Sequence, residues 1–400
     1  MKIVHIQCSM GPAGNAAHRL HLAMISEGIQ SSILNIYPSL KRNNVYSLRA
    51  SKLSYLTKAL NYFYFSIKLR GKKKDSYFYR ILPVFGCGIK RHSLITSADV
   101  IYIHWVAGAL SVSDFKGILQ LGKPVIVFMH DMWPFTGGCH HSFDCKGYEK
   151  GCHNCPMFSN SNTPHGQIEQ LYKLYSHHSN LVFVSPSRWM ADCAKQSYAL
   201  RNNKVFVIPN LVDENIFKPI DKIIAKQILN LPIDKFIITF GCQSGTNNKF
   251  KGWLYLKEAI EKLNRDNIHI VIYGSEENKD TVDQVKFPIT FLGPILDETK
   301  LSLICNATDI FISPSLAESF GLTFLENILC GTPVIGFDNT AISEIVKTNI
   351  NGYLARNRDA LDLCHGIEKI IDKEISVTGR LNYSSKEILQ KHKKLIEQFI

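Results

Sequence analysis

Short apolar segments alternate with longer amphipathic ones along the chain, and this alternation limits the fold more than any other feature. In the first half the short segments, rich in β-branched and aromatic residues, are 2–7, 32–37, 99–103, 124–129, 180–184 and 204–208. In the second half they are 236–240, 268–273, 289–292, 310–312 and 333–335. Helical patterns over 16–27 and 252–263 fall between them. Strands that alternate with helices form parallel sheets from βαβ units, so the sequence predicts an α/β fold with two doubly wound, Rossmann-like domains.

The two predicted domains are separated by residues 209–220, which contain two prolines and several turn-forming residues without a hydrophobic period. A chain of 400 residues with 45% hydrophobic residues is large enough for two cores. We therefore predict domains at 1–208 and 221–400, with the last helix as a candidate to return to the first domain. Ligands of such sheets bind beyond the carboxyl ends of the strands, so functional residues are expected in the loops that follow the strands.

The start of the chain, Met1 to Ile6, reads as a short strand and lacks the basic start and long apolar core of a signal peptide. No run of about eighteen apolar residues, the length of a membrane-spanning helix, is present. We therefore expect a cytosolic protein, in which most of the eleven cysteines are reduced.

The formal net charge of +12 arises from one segment, residues 41–92, which holds thirteen lysines and arginines and a single acid, Asp75. Within residues 51–70, apolar and aromatic side chains alternate with cations at helical spacing, and three lysines follow at 72–74. Such a helix lies in a membrane interface with its cations on lipid phosphates. We expect the segment to dock the first domain on an anionic membrane surface. The alternative is that the aromatic residues belong to the core and the cations to a solvated face.

A candidate anion site follows the strand-like residues 310–312. Gly321 lets the backbone turn tightly into a helix, whose first N–H groups and positive dipole end attract a diphosphate. Glu326 lies a little over one turn into that helix, within reach of ribose hydroxyls. Glu318 lies in the preceding loop, where it could hold sugar hydroxyls. The alternative is that Glu318 caps the helix and Glu326 is a solvated helical glutamate.

Two other strand-end loops carry side chains suited to a ligand. Lys251 opens a helix after the strand-like residues 236–240 and offers a positive charge for a departing diphosphate, although a lysine at a helix start is usually just solvent-exposed. His130 and Asp131 follow the strand-like residues 124–129 directly. A histidine there either faces a ligand or packs within the domain, and His104, after 99–103, is a weaker candidate of the same kind.

These elements, in order, resemble the donor signature of glycosyltransferase family 4, whose members have the GT-B fold. The resemblance rests on the Glu-x7-Glu pattern of Glu318 and Glu326, on Phe320-Gly321, and on the Gly-Thr-Pro-Val-Ile sequence at 331–335. The sequence His-Asp-Met-Trp-Pro-Phe-Thr-Gly-Gly-Cys at 130–139 is similar to a subgroup found among polysaccharide-assembly enzymes.

The first glycine-rich loop extends the likeness and also departs from it. Gly11 and Gly14 resemble the family's loop near the donor phosphate and acceptor, but Pro12 stands where a second glycine is common and removes a backbone donor. Cys242 follows Gly241 where the family often has an arginine, so the second positive charge of the family site is left unassigned.

The resemblance implies two facing domains with a cleft between them. It also implies retaining, front-face transfer of a sugar from a UDP- or GDP-sugar to a glycan or lipid-linked glycan acceptor, without a catalytic metal. His130 and Glu318 are then the catalytic residues at the transferred sugar. The implied donor-binding residues are Gly11, Gly14, Lys251, Ser319, Phe320, Gly321, Leu322 and Glu326. We expect a peripheral protein on the inner face of the cell membrane, in surface polysaccharide or lipopolysaccharide synthesis, that binds no nucleic acid.

Two other functions fit parts of the sequence. A GT-B-like sugar-nucleotide epimerase would bind the same donor without an acceptor. A basic, zinc-containing nucleic-acid-binding protein would account for the charge and the cysteines, but it would place base-stacking aromatic residues in a separate small module. The basic face in the first domain, apart from the donor motifs of the second, favours transfer.

Four cysteines lie close together at Cys139, Cys145, Cys152 and Cys155, with three histidines nearby. Four thiolates bind Zn²⁺ tetrahedrally and could pin a long loop that lacks enough apolar residues to pin itself. The Cys-x5-Cys spacing of the first pair is looser than in ordinary zinc ribbons. A structural zinc ion, disulfides and free thiols therefore remain open.

Overall fold

The computed structural model describes residues 1–9, 15–38, 42–48, 52–73, 79–159, 161–241, 246, 248–277, 285–375 and 383–399. The chain divides into two compact units. Unit 1 comprises residues 1–211 and 386–400, and unit 2 comprises residues 212–385. The division after Leu211 falls inside the segment for which the sequence predicts a linker, and the last fifteen residues belong to unit 1.

Unit 1 is built on a parallel seven-stranded sheet in the order β3-β2-β1-β4-β5-β6-β7. The strands are β1 Lys2–Gln7, β2 Gln30–Asn35, β3 Val45–Ser47, β4 Val100–Ile103, β5 Val125–Phe128, β6 Leu181–Ser185 and β7 Val205–Val207. Every residue of β4, β5 and β6 is buried, as expected for parallel strands whose two faces are both covered by helices.

The helices of unit 1 are α1 Asn15–Ser26, α2 Lys52–Lys68, α3 Ser93–Ser97, α4 Val112–Leu119, α5 Thr163–Tyr175 and α6 Arg188–Gln196, together with nearly all of the last helix, Ser385–Glu397. Serine side chains cap the first turns of two of these helices. Ser111 Oγ accepts from the Asp114 N–H at the start of α4, and Ser187 Oγ accepts from the Met190 N–H at the start of α6. The last helix packs its apolar face in unit 1, where Ile388, Leu389, Leu395 and Ile396 are buried.

Unit 2 repeats the architecture with a parallel six-stranded sheet in the order β10-β9-β8-β11-β12-β13. The strands are β8 Phe236–Gly241, β9 Ile268–Tyr273, β10 Ile289–Phe291, β11 Ile310–Ser313, β12 Val334–Phe337 and β13 Gly352–Ala355. The helices are α7 Lys222–Ile228, α8 Trp253–Glu261, α9 Glu298–Ala307, α10 Leu322–Leu329, α11 Ile342–Ile345 and α12 Ala360–Ile371, so the last helix of the chain is α13.

The structure adds two strands that the sequence does not predict, β3 and β13. β3 has only three residues, and all of them are at least partly exposed. A strand this short and exposed needs no run of apolar residues, so the sequence pattern does not reveal it. β13 begins at Gly352, where a Cβ atom would lie 1.9 Å from the carbonyl oxygen of Val334, so this glycine permits the close pairing with β12. No helix among the described residues is long and apolar enough to cross a membrane.

The strand order reverses once in each unit, and the reversal marks where ligands bind in such sheets. In unit 1 the reversal lies between β1 and β4, and in unit 2 it lies between β8 and β11. The side chains that follow these strands therefore define a candidate site in each unit, and each is described by itself.

Candidate active site

Two loops of unit 2 meet at the reversal between β8 and β11. Lys251 ends a short 3-10 turn after β8, and Glu318 lies in the loop after β11. The Lys251 Nζ atom donates a hydrogen bond to Glu318 Oε1 at 2.6 Å, and the two side chains are only 21% and 17% exposed. The sequence predicts these residues separately, and the structure brings them together as an ion pair. Partial shielding from water makes each charge act more strongly on a neighbouring ligand than a fully exposed charge would.

Gly252 explains how Lys251 comes so close to the β11 loop. Its φ is 77°, and a Cβ atom there would lie 2.0 Å from the carbonyl oxygen of Pro314. Beside it, the Leu316 N–H donates to the carbonyl oxygen of Phe250 at 2.8 Å. Any side chain at position 252 would push the two loops apart, so the Lys-Gly order fixes where the ammonium group lies.

The helix predicted after Gly321 is present as α10, residues Leu322–Leu329. Gly321 has a φ of 91° and no side chain, so the first turn of α10 has no side-chain cap and presents backbone N–H groups and the positive end of the helix dipole. Ser319 and Leu322 are half-buried beside this turn, and Phe320 is buried below it. This arrangement is suited to an anion.

Glu326, in the second turn of α10, is 4% exposed. The structure therefore does not support the alternative of a solvated helical glutamate. A buried carboxylate is costly unless polar groups surround it, so its position calls for a hydrogen-bonding role.

Tyr273 is a further candidate residue of unit 2 that the sequence does not reveal. It ends β9, is 7% exposed, and its hydroxyl has no hydrogen-bond partner among the described residues. Burial, and then the nearby Cys305 and Glu326, hold the pKa of Tyr273 well above its usual value, so it remains a neutral donor. The sequence offers only a glycine, Gly241, at the end of β8. The structure shows that this glycine leaves room for Tyr273, since a Cβ atom there would lie 2.6 Å from the Tyr273 hydroxyl.

In unit 1 the predicted His130 lies two residues beyond β5, half-buried, with its Nε2 atom 2.9 Å from Nδ1 of His104. His104 follows β4 directly, and its Nε2 atom is 2.9 Å from Nδ1 of His5 in β1. Burial lowers the pKa of His130 to about 4, although the charge of Asp131 opposes this shift. His130 is therefore neutral near pH 7, as a hydrogen-bonding residue rather than a cation. His5 was not predicted, because it lies inside an apolar strand.

Asp131 holds the loop that carries His130. Its Oδ1 atom accepts from the Trp133 N–H at 2.8 Å, and its Oδ2 atom accepts from Trp105 Nε1 at 2.8 Å and bonds His140 Nδ1 at 2.6 Å. Burial alone would raise the pKa of Asp131, but His140 and the other neighbours lower it overall. A carboxylate bonded in this way is a structural anchor for the His130 loop. The glycine-rich loop with Gly11 and Gly14, and Cys242, lie outside the described residues.

The four clustered cysteines, Cys139, Cys145, Cys152 and Cys155, line one small cavity in unit 1. None of them forms a disulfide. Backbone N–H groups point at two sulfur atoms, that of Gly147 at Cys145 Sγ (3.4 Å) and that of Gly137 at Cys152 Sγ (3.2 Å). Within the described ranges, no three His, Cys, Asp or Glu side chains form a group that could hold a metal ion as they stand. The structural zinc ion therefore stays a prediction.

Metal analysis of protein purified without chelators is expected to find about one zinc ion per chain, because four thiolates lining one cavity are a suitable ligand set. Burial raises the pKa of Cys152 to about 12, so without a cation this thiol stays protonated. The change Cys152→Ser should release the metal and lower the melting temperature. Cys87→Ser, at a half-buried free cysteine of unit 1 outside this cluster, is the control. Four titratable thiols in zinc-free, fully folded protein would contradict the prediction.

Comparisons with known proteins show which sequences and structures this chain is similar to. Residues 237–373 match the family model described as Glycosyl transferases group 1. A D-inositol 3-phosphate glycosyltransferase from Stackebrandtia nassauensis is 27% identical over 198 residues, which are 45% of this chain and 44% of that protein. The alpha-1,3/1,6-mannosyltransferase ALG2 of Dictyostelium discoideum is 25% identical over 327 residues, which are 76% of this chain and 71% of that protein.

Solved structures resemble the whole chain. HepE of Anabaena, in complex with UDP and glucose, covers 100% of both chains with a TM-score of 0.66 and 15% identity. WaaG, a glycosyltransferase involved in lipopolysaccharide biosynthesis, covers 99% of both chains with a TM-score of 0.64 and 12% identity. Together with the two parallel sheets, these likenesses confirm the GT-B fold, and the sequence relatives support a glycosyltransferase with that fold.

Proposed function

We propose that this protein is a retaining, family 4 glycosyltransferase that moves a sugar from a UDP- or GDP-sugar to a glycan or lipid-linked glycan acceptor in surface polysaccharide synthesis. The observation that carries the proposal is the Lys251 and Glu318 pair beside the uncapped start of α10, at the reversal between β8 and β11. Positive charge, backbone donors and a carboxylate are the groups that a nucleotide diphosphate attached to a sugar requires.

Each residue has a distinct role in this proposal. Lys251 and the first N–H groups of α10 bind the diphosphate, and buried Glu326 accepts from the ribose hydroxyls. Glu318 pairs with Lys251 in the free protein. When the diphosphate binds the Lys251 ammonium group, the Glu318 carboxylate is released and accepts hydrogen bonds from the sugar hydroxyls. The Lys251 charge then lies where negative charge develops as the donor breaks.

The proposed reaction is a front-face displacement. The bond between the anomeric carbon and the diphosphate oxygen breaks, and its electron pair leaves on the diphosphate. The acceptor hydroxyl oxygen bonds to the same face of the anomeric carbon, and its proton passes to the departing phosphate oxygen. His130, held neutral by burial, is a hydrogen-bond partner for the sugar from unit 1 rather than a strong base near pH 7. In this proposal Lys251 and α10 supply the positive charge, without a catalytic metal.

The acceptor side of the proposal rests on helix α2. Leu56, Leu60, Phe63 and Ile67 recur at helical spacing and are 56%, 38%, 65% and 42% exposed, so they form one apolar face in water. The opposite side holds the helix in place, since Tyr64, Phe65 and Leu69 pack against the buried residues Tyr79, Ile81 and Phe158. We propose that the exposed face docks on an anionic membrane, where a lipid-linked acceptor is found.

Asn61 holds two further exposed apolar residues against α2. Its side chain accepts from the N–H groups of Val84 and Phe85 and donates to the carbonyl oxygen of Phe85. Val84 and Phe85 are 50% and 40% exposed. The alternative that all the aromatic residues of the segment belong to the core therefore fits Tyr64 and Phe65 but not Phe63.

Thermal unfolding in the presence of UDP-, GDP- and ADP-sugars tests the proposed function. We expect a UDP- or GDP-sugar to raise the melting temperature by several degrees, because a ligand at a hundred times its Kd stabilises the native state by about 2.7 kcal/mol. The change Lys251→Ala should abolish the increase, whereas Lys262→Ala, on an exposed lysine paired with Glu258, should not.

The other two functions give different results in the same experiments. An epimerase would be stabilised by the donor and would convert it without transfer to any glycan acceptor. A nucleic-acid-binding protein would show salt-dependent affinity for nucleic acid and no stabilisation by any nucleotide sugar. Either result would replace the proposed function.

A further inference from the structure

Unit 1 contains a continuous row of three histidines that ends at His130, the candidate site residue of that unit. His5 Nδ1 is 2.9 Å from His104 Nε2, and His104 Nδ1 is 2.9 Å from His130 Nε2. The three residues come from β1, the end of β4 and the loop after β5, which are neighbouring strands. The rings of His104 and His130 are stacked with centroids 5.1 Å apart, and those of His5 and His104 with centroids 5.2 Å apart. The geometry is that of one hydrogen-bonded chain.

Burial keeps this chain electrically neutral. His5 is 0% and His104 is 4% exposed, and burial lowers the pKa of both well below the usual value, with neighbouring histidines lowering it further. A neutral imidazole has one N–H donor and one bare nitrogen acceptor. Each of the two contacts therefore needs one proton between its nitrogens, and the three rings have three protons to distribute.

Because each contact joins Nδ1 of one ring to Nε2 of the next, only two placements of the ring protons allow both hydrogen bonds to form. In one, every ring carries its proton on Nδ1, and His5 donates to His104, which donates to His130. In the other, every ring carries its proton on Nε2, and donation runs the opposite way. A mixed arrangement places two N–H groups or two lone pairs against each other, and leaving a buried hydrogen bond unmade destabilises that arrangement.

We propose that His5, His104 and His130 form one tautomeric unit in which all three rings carry the proton on the same type of nitrogen. This unit fixes whether Nδ1 of His130 donates or accepts a hydrogen bond. His104 and His5 are then positioning residues that act through His130. The far end of the unit is closed, because His5 Nε2 is buried and has no hydrogen-bond partner among the described residues. The hydrogen bond between His104 and His130 therefore determines which tautomer His130 adopts.

The consequence for the site rests on the proposed function. A sugar hydroxyl that contacts Nδ1 of the uncharged His130 ring then meets either a hydrogen-bond donor or an acceptor, but never both. Selectivity for that hydroxyl then depends on His104, which lies beyond His130 in the row. A site that depends on hydrogen-bond polarity rejects a ligand of the wrong polarity more strongly than an apolar site does.

Heteronuclear NMR of the free protein, labelled with ¹⁵N in histidine, tests the unit without any donor or acceptor. Protonated and bare ring nitrogens resonate far apart, so each ring reports its own tautomer. We expect His5, His104 and His130 to share one tautomer, whichever of the two it is. Different tautomers within the row, or a charged ring at pH 7, would overturn the proposal.

The variant His104→Phe keeps an aromatic ring next to Phe128, whose centroid is 5.8 Å from that of His104, but it breaks both contacts of the row. We expect His130 to lose its single tautomer and kcat to fall about ten-fold, with donor binding unchanged. The matched control is His392→Phe, another buried histidine beside Phe128 that bonds Tyr102 and lies outside the row. A shared tautomer in His104→Phe identical to that of the native protein would also overturn the proposal.

The NMR and kinetic results separate the two levels of inference. If the rings share a tautomer but the protein has no transferase activity, the proposed function fails and the tautomeric unit stands. If transfer occurs and the rings hold mixed tautomers, the tautomeric unit fails and the proposed function stands.

Discussion

Replacing Lys251 with alanine is expected to weaken binding of UDP or GDP by about 10- to 150-fold, because a hydrogen bond to a charged group contributes about 1.5 to 3 kcal/mol. The same change leaves the Glu318 carboxylate, now without its ammonium partner, facing the diphosphate. The loss of the Lys251 ammonium group and the exposure of the Glu318 carboxylate both weaken binding of the diphosphate. Isothermal titration with the nucleoside diphosphate alone measures this effect apart from any contact to the sugar.

Glu318→Gln should have the opposite effect on the same measurement. Removing the carboxylate frees the Lys251 ammonium for the diphosphate, so the affinity for UDP or GDP should stay the same or increase, while turnover of the nucleotide sugar falls. In the double variant Lys251→Ala/Glu318→Gln, the loss of affinity should be smaller than in Lys251→Ala. An equal loss in both backgrounds would contradict a shared site for the pair.

Glu326→Ala should also reduce donor binding, because Glu326 is assigned to the ribose hydroxyls. Since Glu326 is buried, Glu326→Gln is the better-matched variant, as it keeps the volume and removes the charge. Lys262→Ala controls for the removal of an ion-paired lysine elsewhere in unit 2. Unchanged binding and turnover in folded Lys251 and Glu326 variants would remove the assignment of the donor site.

The elements that sequence reasoning predicted well are those whose own residues determine their structure. Apolar, β-branched runs such as Lys2–Gln7 and Ile268–Tyr273 form strands with the predicted bounds, because burial on both faces requires no polar alternation. Gly321 at the start of α10 was predictable as well, since the tight turn needs a glycine.

The relations within the site were less accessible, because they join residues that are distant in the sequence. Lys251 and Glu318 are 67 positions apart, and nothing local to either residue announces the ion pair. Gly252 reads as a helix-start glycine in the sequence, whereas its contact with Pro314 comes from the packing of two loops. His5 and Tyr273 lie in strands as ordinary members of an apolar pattern. Only the folded structure shows that His5 contacts His104 within unit 1 and that Tyr273 lies near Glu326 within unit 2.

Membrane binding is expected to depend on the cations that flank the exposed face of α2. Lys68, Arg70 and Lys73 are exposed at the end of this segment, whereas Lys72 is half-buried and Lys74 lies outside the described residues. Each cation near an anionic surface contributes about 1 kcal/mol. Changing all three exposed cations to glutamate removes three attractions and adds three repulsions. Binding should therefore fall by about 3 to 6 kcal/mol, or roughly 10²- to 10⁴-fold.

Sedimentation with vesicles that contain anionic lipid measures this loss, and binding by the native protein should weaken as salt increases. The matched control changes Lys195, Lys391 and Lys394 to glutamate, which alters the net charge of unit 1 equally at exposed positions away from α2. An equal loss in the control would assign the effect to net charge rather than to a docking face.

The apolar face of α2 provides an independent test of the same docking. Phe63→Ser removes a 65% exposed ring from the face, and should weaken binding at every salt concentration, because insertion of apolar surface is not screened by ions. Leu254→Ser, at a 66% exposed residue of α8 in unit 2, should leave binding unchanged. Equal binding of the native protein to neutral vesicles, or no binding at low salt, would rule out electrostatic docking. In that case a membrane surface would not bring the protein and its acceptor together, and the acceptor would have to bind from solution.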